Sequence, residues 1–241
     1  MIAFLFAAAA ALGNLAGGWA MVGPWRKSHG VIDLFLAFSA GFMLSVALLE
    51  VAPEAISQRP DAPFFMLAGY LAVHLAQHVL VPHFHFGEET HRISPRQGIA
   101  ALAGLLLHTF FDGVAIASGF LVSPHLGFLL FLAVFLHKLP EGLTVSSLML
   151  AGGQSRPRAL GAAGLLGIAT LAGVFATHVA RPIASHGLAI SAGVTIYVAA
   201  SNLVPELQAR HKKGMSFAFF GGAAAFFLTR ALVSAAGLGA P

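Results

Sequence analysis

The chain has 241 residues, of which 58% are hydrophobic and only 9% are charged, and its formal net charge is +4. Because a soluble domain carries about 25% charged residues, this composition excludes a water-soluble globular protein. The basic residues are scattered over short segments, which argues against nucleic acid as a partner. The absence of Cys excludes disulfides, thiolate metal ligands and Cys nucleophiles.

Apolar segments of about 20 residues, long enough to cross the hydrocarbon core as helices, recur along the chain. They are uniformly apolar rather than alternating, which favours helices over a β-barrel. The sequence predicts an all-α, polytopic membrane protein: one transmembrane transporter domain, residues 1–241, with eight helices in a 3+2+3 arrangement. The predicted helices are 2–23, 32–52, 63–82, 97–121, 125–151, 158–179, 184–207 and 215–237.

The first helix is apolar and Ala-rich like a secretory signal, but basic residues follow it instead of preceding it. We therefore expect it to remain in the mature protein. With both termini outside, most Lys and Arg fall in inner loops, as the positive-inside rule predicts for a multi-pass protein of the plasma (inner) membrane. The inner set is Arg26, Lys27, Arg92, Arg96, Arg156, Arg158, Arg210, Lys212 and Lys213, and the outer set is Arg59, Arg181 and Arg230.

The longest inner loop, about residues 83–96, carries several groups that bind divalent metals: His83, His85, Glu88, Glu89 and His91. Imidazole and carboxylate groups give even a flexible segment some metal affinity. Two interpretations stay open. The loop is either a solvated connector with weak affinity or a cytosolic segment that senses or receives metal.

Residues 40–54 of helix 2 (AGFMLSVALLEVAPE) align without gaps with residues 192–206 of helix 7 (AGVTIYVAASNLVPE). The two segments share their Ala-Gly start and their Pro-Glu end. Helix 2 runs outward and helix 7 inward in the predicted topology, so the repeat is inverted. Many secondary transporters are built this way, with the substrate site near the midplane between the repeats. Coincidence in an Ala- and Gly-rich sequence is the alternative.

Helices 4 and 5 each carry a His-x-x-x-carboxylate-Gly motif, HTFFDG at 108–113 and HKLPEG at 137–142. A His and a carboxylate four residues apart lie on one face of a helix. Ionisable groups at this depth are costly and face the protein interior. Two such faces on antiparallel helices predict one site of two imidazoles and two carboxylates, which suits Zn²⁺, Fe²⁺, Mn²⁺, Co²⁺ or Cd²⁺.

Pro140 lies inside the second motif and has no N–H, so the carbonyl of Leu136 loses its helical partner. We expect the helix to bend one turn before Glu141, with the freed carbonyl facing water or metal in a cavity. Gly113 and Gly142 follow the two carboxylates and should permit close approach of neighbouring helices.

These motifs, together with AGFM…EVAPE and YVAASNLVPE, resemble the ZIP (Zrt/Irt-like) family of metal transporters, bacterial type, over essentially the whole chain. The resemblance implies transport of zinc or a related divalent ion into the cytoplasm, through a site on helices 4 and 5 that helices 2 and 7 complete. The implied primary ligands are His108, Asp112, His137 and Glu141.

Helices 2 and 7 supply further positions by the same resemblance. Met43 matches a position that can offer a thioether, and a Met packing the core is the equal alternative. Ser201 and Asn202 stand where some family members have acidic residues.

The chain departs from the family pattern directly after each motif His. Members with a binuclear site carry metal-binding groups there, whereas this chain has Thr109 and Lys138. An ammonium group repels a second cation, so we expect a single metal site with Lys138 in place of a second ion, paired with Glu141 or Asp112 until metal displaces it. The alternative is a lysine that snorkels to water.

Other polar residues are weaker candidates along the expected path. Glu50 and Glu54 lie in the outer half of helix 2, at the expected entrance, and Glu206 lies near the inner end of helix 7, at the expected exit. His74 and His78 lie one turn apart on helix 3, where they either hand metal to the inner loop or serve structure.

The favoured function is a divalent-metal importer that works by alternating access. It is not an enzyme and has no catalytic cofactor, and its partners are the metal substrate, the lipid bilayer and, as a further candidate, a second copy of the chain. Without a Walker A motif, ATP hydrolysis is not indicated. The main alternative is an intramembrane metal-dependent hydrolase, although HExxH spacing is absent. The sequence leaves open which metal is carried.

Overall fold

The computed structural model describes residues 1–23, 29–78, 95–209 and 213–235. Within these ranges the chain forms eight helices and no strand, which confirms the all-α prediction. The helices are α1 (Ile2–Val22), α2 (His29–Val46, π-helical Ala47–Val51 and Ala52–Gln58), α3 (Ala62–His78), α4 (Pro95–Val122), α5 (Pro124–Ala151), α6 (Arg156–Val179), α7 (Arg181–Ile196, π-helical Tyr197–Leu203 and Val204–Ala209) and α8 (Lys213–Ala235).

Seven of the described helices are long and apolar enough to cross a membrane, and a further helix, Ala62–Gln77, is apolar but shorter. The chain is therefore a multi-pass membrane protein, as predicted. The largest difference in the bounds is the end of α2, predicted at residue 52 and observed at Gln58. Pro53 directly follows the predicted end, and the helix continues through it because a π-helical stretch precedes this proline and accommodates its ring.

The two π-helical stretches occupy matching positions in the repeat. The first ends at Val51, two residues before Pro53, and the second ends at Leu203, two residues before Pro205. Insertions of this type cluster at functional segments of helices. Because the same local distortion recurs at the same aligned position, the similarity of helices 2 and 7 extends from sequence to backbone geometry.

Four helix pairs cross closely at reciprocal glycines: α1 with α5, α4 with α6, α2 with α8 and α3 with α7. In each pair, a Cβ on either glycine would overlap the backbone oxygen of the residue three positions before the partner glycine. Lipid provides no hydrophobic drive for helix association, so such close backbone contact holds these pairs together. The pairs are Gly17 and Gly142, Gly113 and Gly173, Gly41 and Gly222, and Gly69 and Gly193.

The pairing agrees with a repeat that relates helices 1–3 to helices 6–8 and helix 4 to helix 5. Under that relation the α2/α8 pair corresponds to α7/α3, and the α1/α5 pair corresponds to α6/α4. In space, α1, α4, α5 and α6 pack as one group, while α2 contacts α5 and α7 contacts α4. The two motif-bearing helices are therefore enclosed by helices from both halves of the chain.

Candidate metal site

One residue, Ser123, connects the two motif-bearing helices. Its side chain caps α5 by accepting a hydrogen bond from the backbone N–H of Leu126 at 3.1 Å, and Pro124 occupies the first turn, where its missing N–H costs nothing. This tight connection makes α4 and α5 an antiparallel hairpin. The two motif faces can therefore meet at the middle of the pair.

The four predicted ligands do meet. His108 and Asp112 of α4, and His137 and Glu141 of α5, each offer one ligand atom, and these atoms all lie within 4.8 Å of one another. All four side chains are buried. Two imidazoles and two carboxylates converging on one point form a donor set suited to a divalent transition metal.

The imidazole of His137 is oriented by its own helix. Its Nδ1 lies 2.9 Å from the carbonyl oxygen of Ala133, and because a carbonyl only accepts, Nδ1 carries the hydrogen. In the neutral ring, Nε2 then turns a lone pair toward Asp112 Oδ2, 3.3 Å away. Nε2 and Oδ2 are then two acceptors that face each other, an arrangement that a cation between them would stabilise. The hydrogen bond at Nδ1 is also typical of a metal-binding His, in which the nitrogen that does not bind the metal donates to a neighbouring oxygen.

His108 faces the same oxygen. Its Nε2 lies 3.3 Å from Asp112 Oδ2 and 4.0 Å from Glu141 Oε1. Its Nδ1 is buried and has no hydrogen-bond partner within the described ranges. Asp112 Oδ2 is therefore the atom on which both imidazoles converge, and Glu141 Oε1 is the glutamate oxygen on the imidazole side.

Lys138 lies inside the site and is fully buried. Its ammonium donates hydrogen bonds of 2.6 Å to Asp112 Oδ2 and of 2.6 Å to Glu141 Oε2. The expected pairing with these carboxylates is thus present, and the alternative of a lysine snorkelling to water does not describe this structure. The ammonium is a tethered monovalent cation between the two carboxylates, and its standing in place of a second ion stays a prediction.

Thr109 and Asn14 complete the hydrogen bonds of Glu141. Thr109 donates its hydroxyl to Glu141 Oε1 at 2.6 Å. The amide nitrogen of Asn14, from α1, lies 3.2 Å from Glu141 Oε2 when the amide is oriented to face its neighbouring acceptors. Asn14 is not among the residues predicted for the site, although a lone amide in an otherwise apolar helix is a signal that points to it.

The carbonyl of Leu136 does not face water or metal, and that expectation is wrong here. Ser39 of α2 lies against it and donates its hydroxyl at 2.8 Å. The physical reason is that α2 packs against α5 at this turn and brings the buried hydroxyl of Ser39 within hydrogen-bond distance of the oxygen freed by Pro140. α5 stays helical from Pro124 through Pro140 to Ala151.

The π-helical stretch of α7 directs its polar residues to α3. Ser201 shares a hydrogen bond of 2.8 Å with the hydroxyl of Tyr70, and Asn202 donates its amide to Gln77 at 2.9 Å. The structure thus places both residues at the α3–α7 contact, and a gating or second-site role stays a prediction. Met43 is buried one turn beyond Ser39, and its role as a ligand also stays a prediction.

The entrance candidates on α2 have partners. Glu50 forms an ion pair with Arg230 of α8 at 2.6 Å, and Glu54 accepts a hydrogen bond of 2.8 Å from Gln58.

His74 is exposed on α3. The roles of Glu50, Glu54 and His74 in a metal path remain predictions. The side chains of His78 and Glu206, and the loop residues His83, His85 and His91, lie outside the described residues.

The fold and the site define a class: a polytopic helical membrane protein with a buried His and carboxylate cluster between two central helices. A family model described as ZIP Zinc transporter matches residues 74–230. That match covers more than half of the chain, so the chain belongs to the ZIP zinc transporter family.

Individual relatives carry corresponding names. The chain is 32% identical to the zinc transporter foi of Drosophila melanogaster over 127 residues, which are 49% of this chain but only 18% of that protein. It is 25% identical to the zinc transporter ZupT of Escherichia coli over 217 residues, covering 79% of this chain and 83% of ZupT. The yeast zinc transporter YKE4 is 24% identical over 215 residues, covering 73% of this chain and 61% of YKE4.

Proposed function

We propose that this protein carries a divalent metal ion, zinc first, across the membrane into the cytoplasm. The observation that supports this most directly is the convergence of His108, Asp112, His137 and Glu141 on one buried point. Ionisable residues inside a membrane mark ion pathways. The zinc transporters among the relatives support zinc as the substrate, and the same ligands would also accept iron, manganese or cadmium.

The site holds one ion at a time. The two carboxylates and the ammonium of Lys138 lie in the same space and together leave a single net negative charge. One divalent ion therefore carries more positive charge than is needed to neutralise the site. A second divalent ion would meet repulsion that grows steeply in a low dielectric. On this proposal, the incoming ion displaces the ammonium from Asp112 and Glu141.

The inverted repeat supplies a route to alternating access. Transporters of this architecture expose a central site to one side and then the other by moving one bundle against another. The basic inner loops support an orientation with both termini outside, in a plasma (inner) membrane. Further elements of the proposal are a homodimer and an inner loop whose His83, His85 and His91 receive the released ion.

Zinc uptake into proteoliposomes tests the proposal. The purified chain is reconstituted around a zinc-sensitive dye, and we expect uptake that His108→Ala and Glu141→Ala abolish. His178→Ala is the matched control, because its Nδ1 donates a hydrogen bond to the Val174 carbonyl oxygen of its own helix and its ring packs on Phe4. Absence of flux in the native protein, together with metal-dependent peptidase or lipase activity, would overturn it in favour of a hydrolase.

A further inference from the structure

Asn14 is the only residue between Ile2 and Val22 whose side chain carries an amide, a hydroxyl or a charge. It is completely buried. A polar amide in the apolar wall of a membrane helix is costly unless its hydrogen bonds are satisfied. The Asn14 amide therefore needs hydrogen-bond partners inside the protein.

The partners of Asn14 belong to the metal site. Its amide lies 2.7 Å from the backbone oxygen of Lys138 and 3.2 Å from Glu141 Oε2. Both neighbours are acceptors, so the amide nitrogen faces them and donates to each. The α1–α5 crossing holds this geometry, because Gly142 packs directly on the backbone of Asn14.

The hydrogen bonds of Glu141 divide between its two oxygens. Among the side chains that the structure describes, Oε1, on the imidazole side, accepts from Thr109, whereas Oε2 accepts from Lys138 and is faced by Asn14. An ion that enters among the imidazoles meets Oε1. When the ammonium of Lys138 leaves, Asn14 is the donor that remains on Oε2.

We propose that Asn14 is a positioning residue of the transport site. Its amide holds Oε2 of Glu141 so that Oε1 stays turned toward the ion, and it does so alone once the metal has displaced Lys138. This inference rests on the proposed function, since it assigns a role at the same site. It adds α1 to the helices that shape metal binding.

The repeat supplies an internal comparison at Thr170 of α6. Thr170 precedes Gly173 by three residues, as Asn14 precedes Gly17, and Gly113 packs on its backbone as Gly142 packs on that of Asn14. The Thr170 hydroxyl, however, bonds to Leu166 of its own helix at 3.2 Å. The packing at the two crossings is alike, and only the α1 residue reaches a metal-site carboxylate.

The test is zinc chloride titrated by calorimetry into the purified full chain in detergent. We expect Asn14→Ala to weaken zinc binding by about 10- to 100-fold, the usual loss when a ligand loses its hydrogen-bond partner. Thr170→Ala should leave affinity unchanged. Asn14→Ser, whose hydroxyl is one atom shorter than the amide, should behave like Asn14→Ala and replaces it where the alanine variant fails to fold.

A double-mutant comparison separates positioning from packing. In the metal-bound state Asn14 is the remaining donor to Oε2 in both backgrounds, whereas in the metal-free state Lys138 still holds Oε2 in the native chain. Loss of Asn14 should therefore weaken binding by a larger factor in the native background than in the Lys138→Met background. No loss, or equal losses in both backgrounds, would overturn this inference while zinc binding by the native chain leaves the proposed function standing. A native chain that binds no zinc would overturn both.

Discussion

The hydroxyl of Ser39 lies 2.8 Å from the backbone oxygen of Leu136, the oxygen that Pro140 deprives of its helical partner. The same hydroxyl lies 2.8 Å from the oxygen of Phe35 on its own helix. A hydroxyl has one hydrogen to donate. Ser39 can therefore hold α5 against α2 in this state and return to Phe35 when the helices separate.

Ser39→Ala should selectively destabilise the state described here. The Leu136 oxygen would lose its only side-chain donor among the described residues, at a cost of about 0.5–1.5 kcal/mol. We expect a lower melting temperature in detergent. Ser45→Ala is the matched control, because Ser45 on the same helix donates only to Gly41, at 2.9 Å. Equal melting temperatures for the two variants would contradict a cross-helix role for Ser39.

Lys138→Ala should raise zinc affinity by at least about tenfold and allow a second ion to bind, because removal of the ammonium ends its repulsion of cations. Titration calorimetry on the purified protein measures both quantities, with one ion expected for the native chain. Lys213→Ala, which removes an exposed lysine at the start of α8, controls for net charge. Unchanged affinity and stoichiometry in Lys138→Ala would show that the lysine does not compete with metal.

The ligand quartet could be predicted from sequence because its geometry is mostly local. A spacing of four fixes His108 and Asp112 on one helix face, and the same holds for His137 and Glu141. The short connection between α4 and α5 then requires the two helices to pack antiparallel. The Lys138 pairing followed from the same reasoning, since an ammonium beside buried carboxylates has no better partner.

The donors that complete the site depend on tertiary crossings that no local pattern encodes. Asn14 reaches Glu141 only because Gly17 and Gly142 bring α1 and α5 into backbone contact. Ser39 reaches Leu136 only because α2 passes the turn that contains Pro140. A sequence identifies the freed carbonyl but not the helix that supplies its donor, which is why that oxygen was wrongly assigned to water or metal.

Gly142→Ala should destabilise the protein and weaken zinc binding together. Its Cβ would overlap the backbone oxygen of Asn14, so α1 must move away from α5, with a cost of about 1–3 kcal/mol for overpacking and displacement of the Asn14 amide from Glu141. Gly161→Ala is the control, because nothing lies near the added carbon. It should change stability by no more than about 1 kcal/mol, toward greater stability. Thermal unfolding with and without zinc measures both effects, and equal behaviour of the two variants would refute the close crossing.

Arg230→Gln tests whether Glu50 attracts cations at the outer side. The ion pair between them occupies the same place in the repeat as the neutral contact of Asn202 with Gln77. Arg230 is half exposed, so its pairing contributes little stability, but it cancels the charge of Glu50. Its removal should raise initial zinc uptake by roughly twofold or more at low ionic strength, with the gain lost at high salt. The double variant Glu50→Gln/Arg230→Gln restores neutrality and should return zinc uptake to the native rate. An increase in uptake that persists in the double variant, or that does not depend on salt concentration, would rule out an electrostatic role of Glu50 at the entrance.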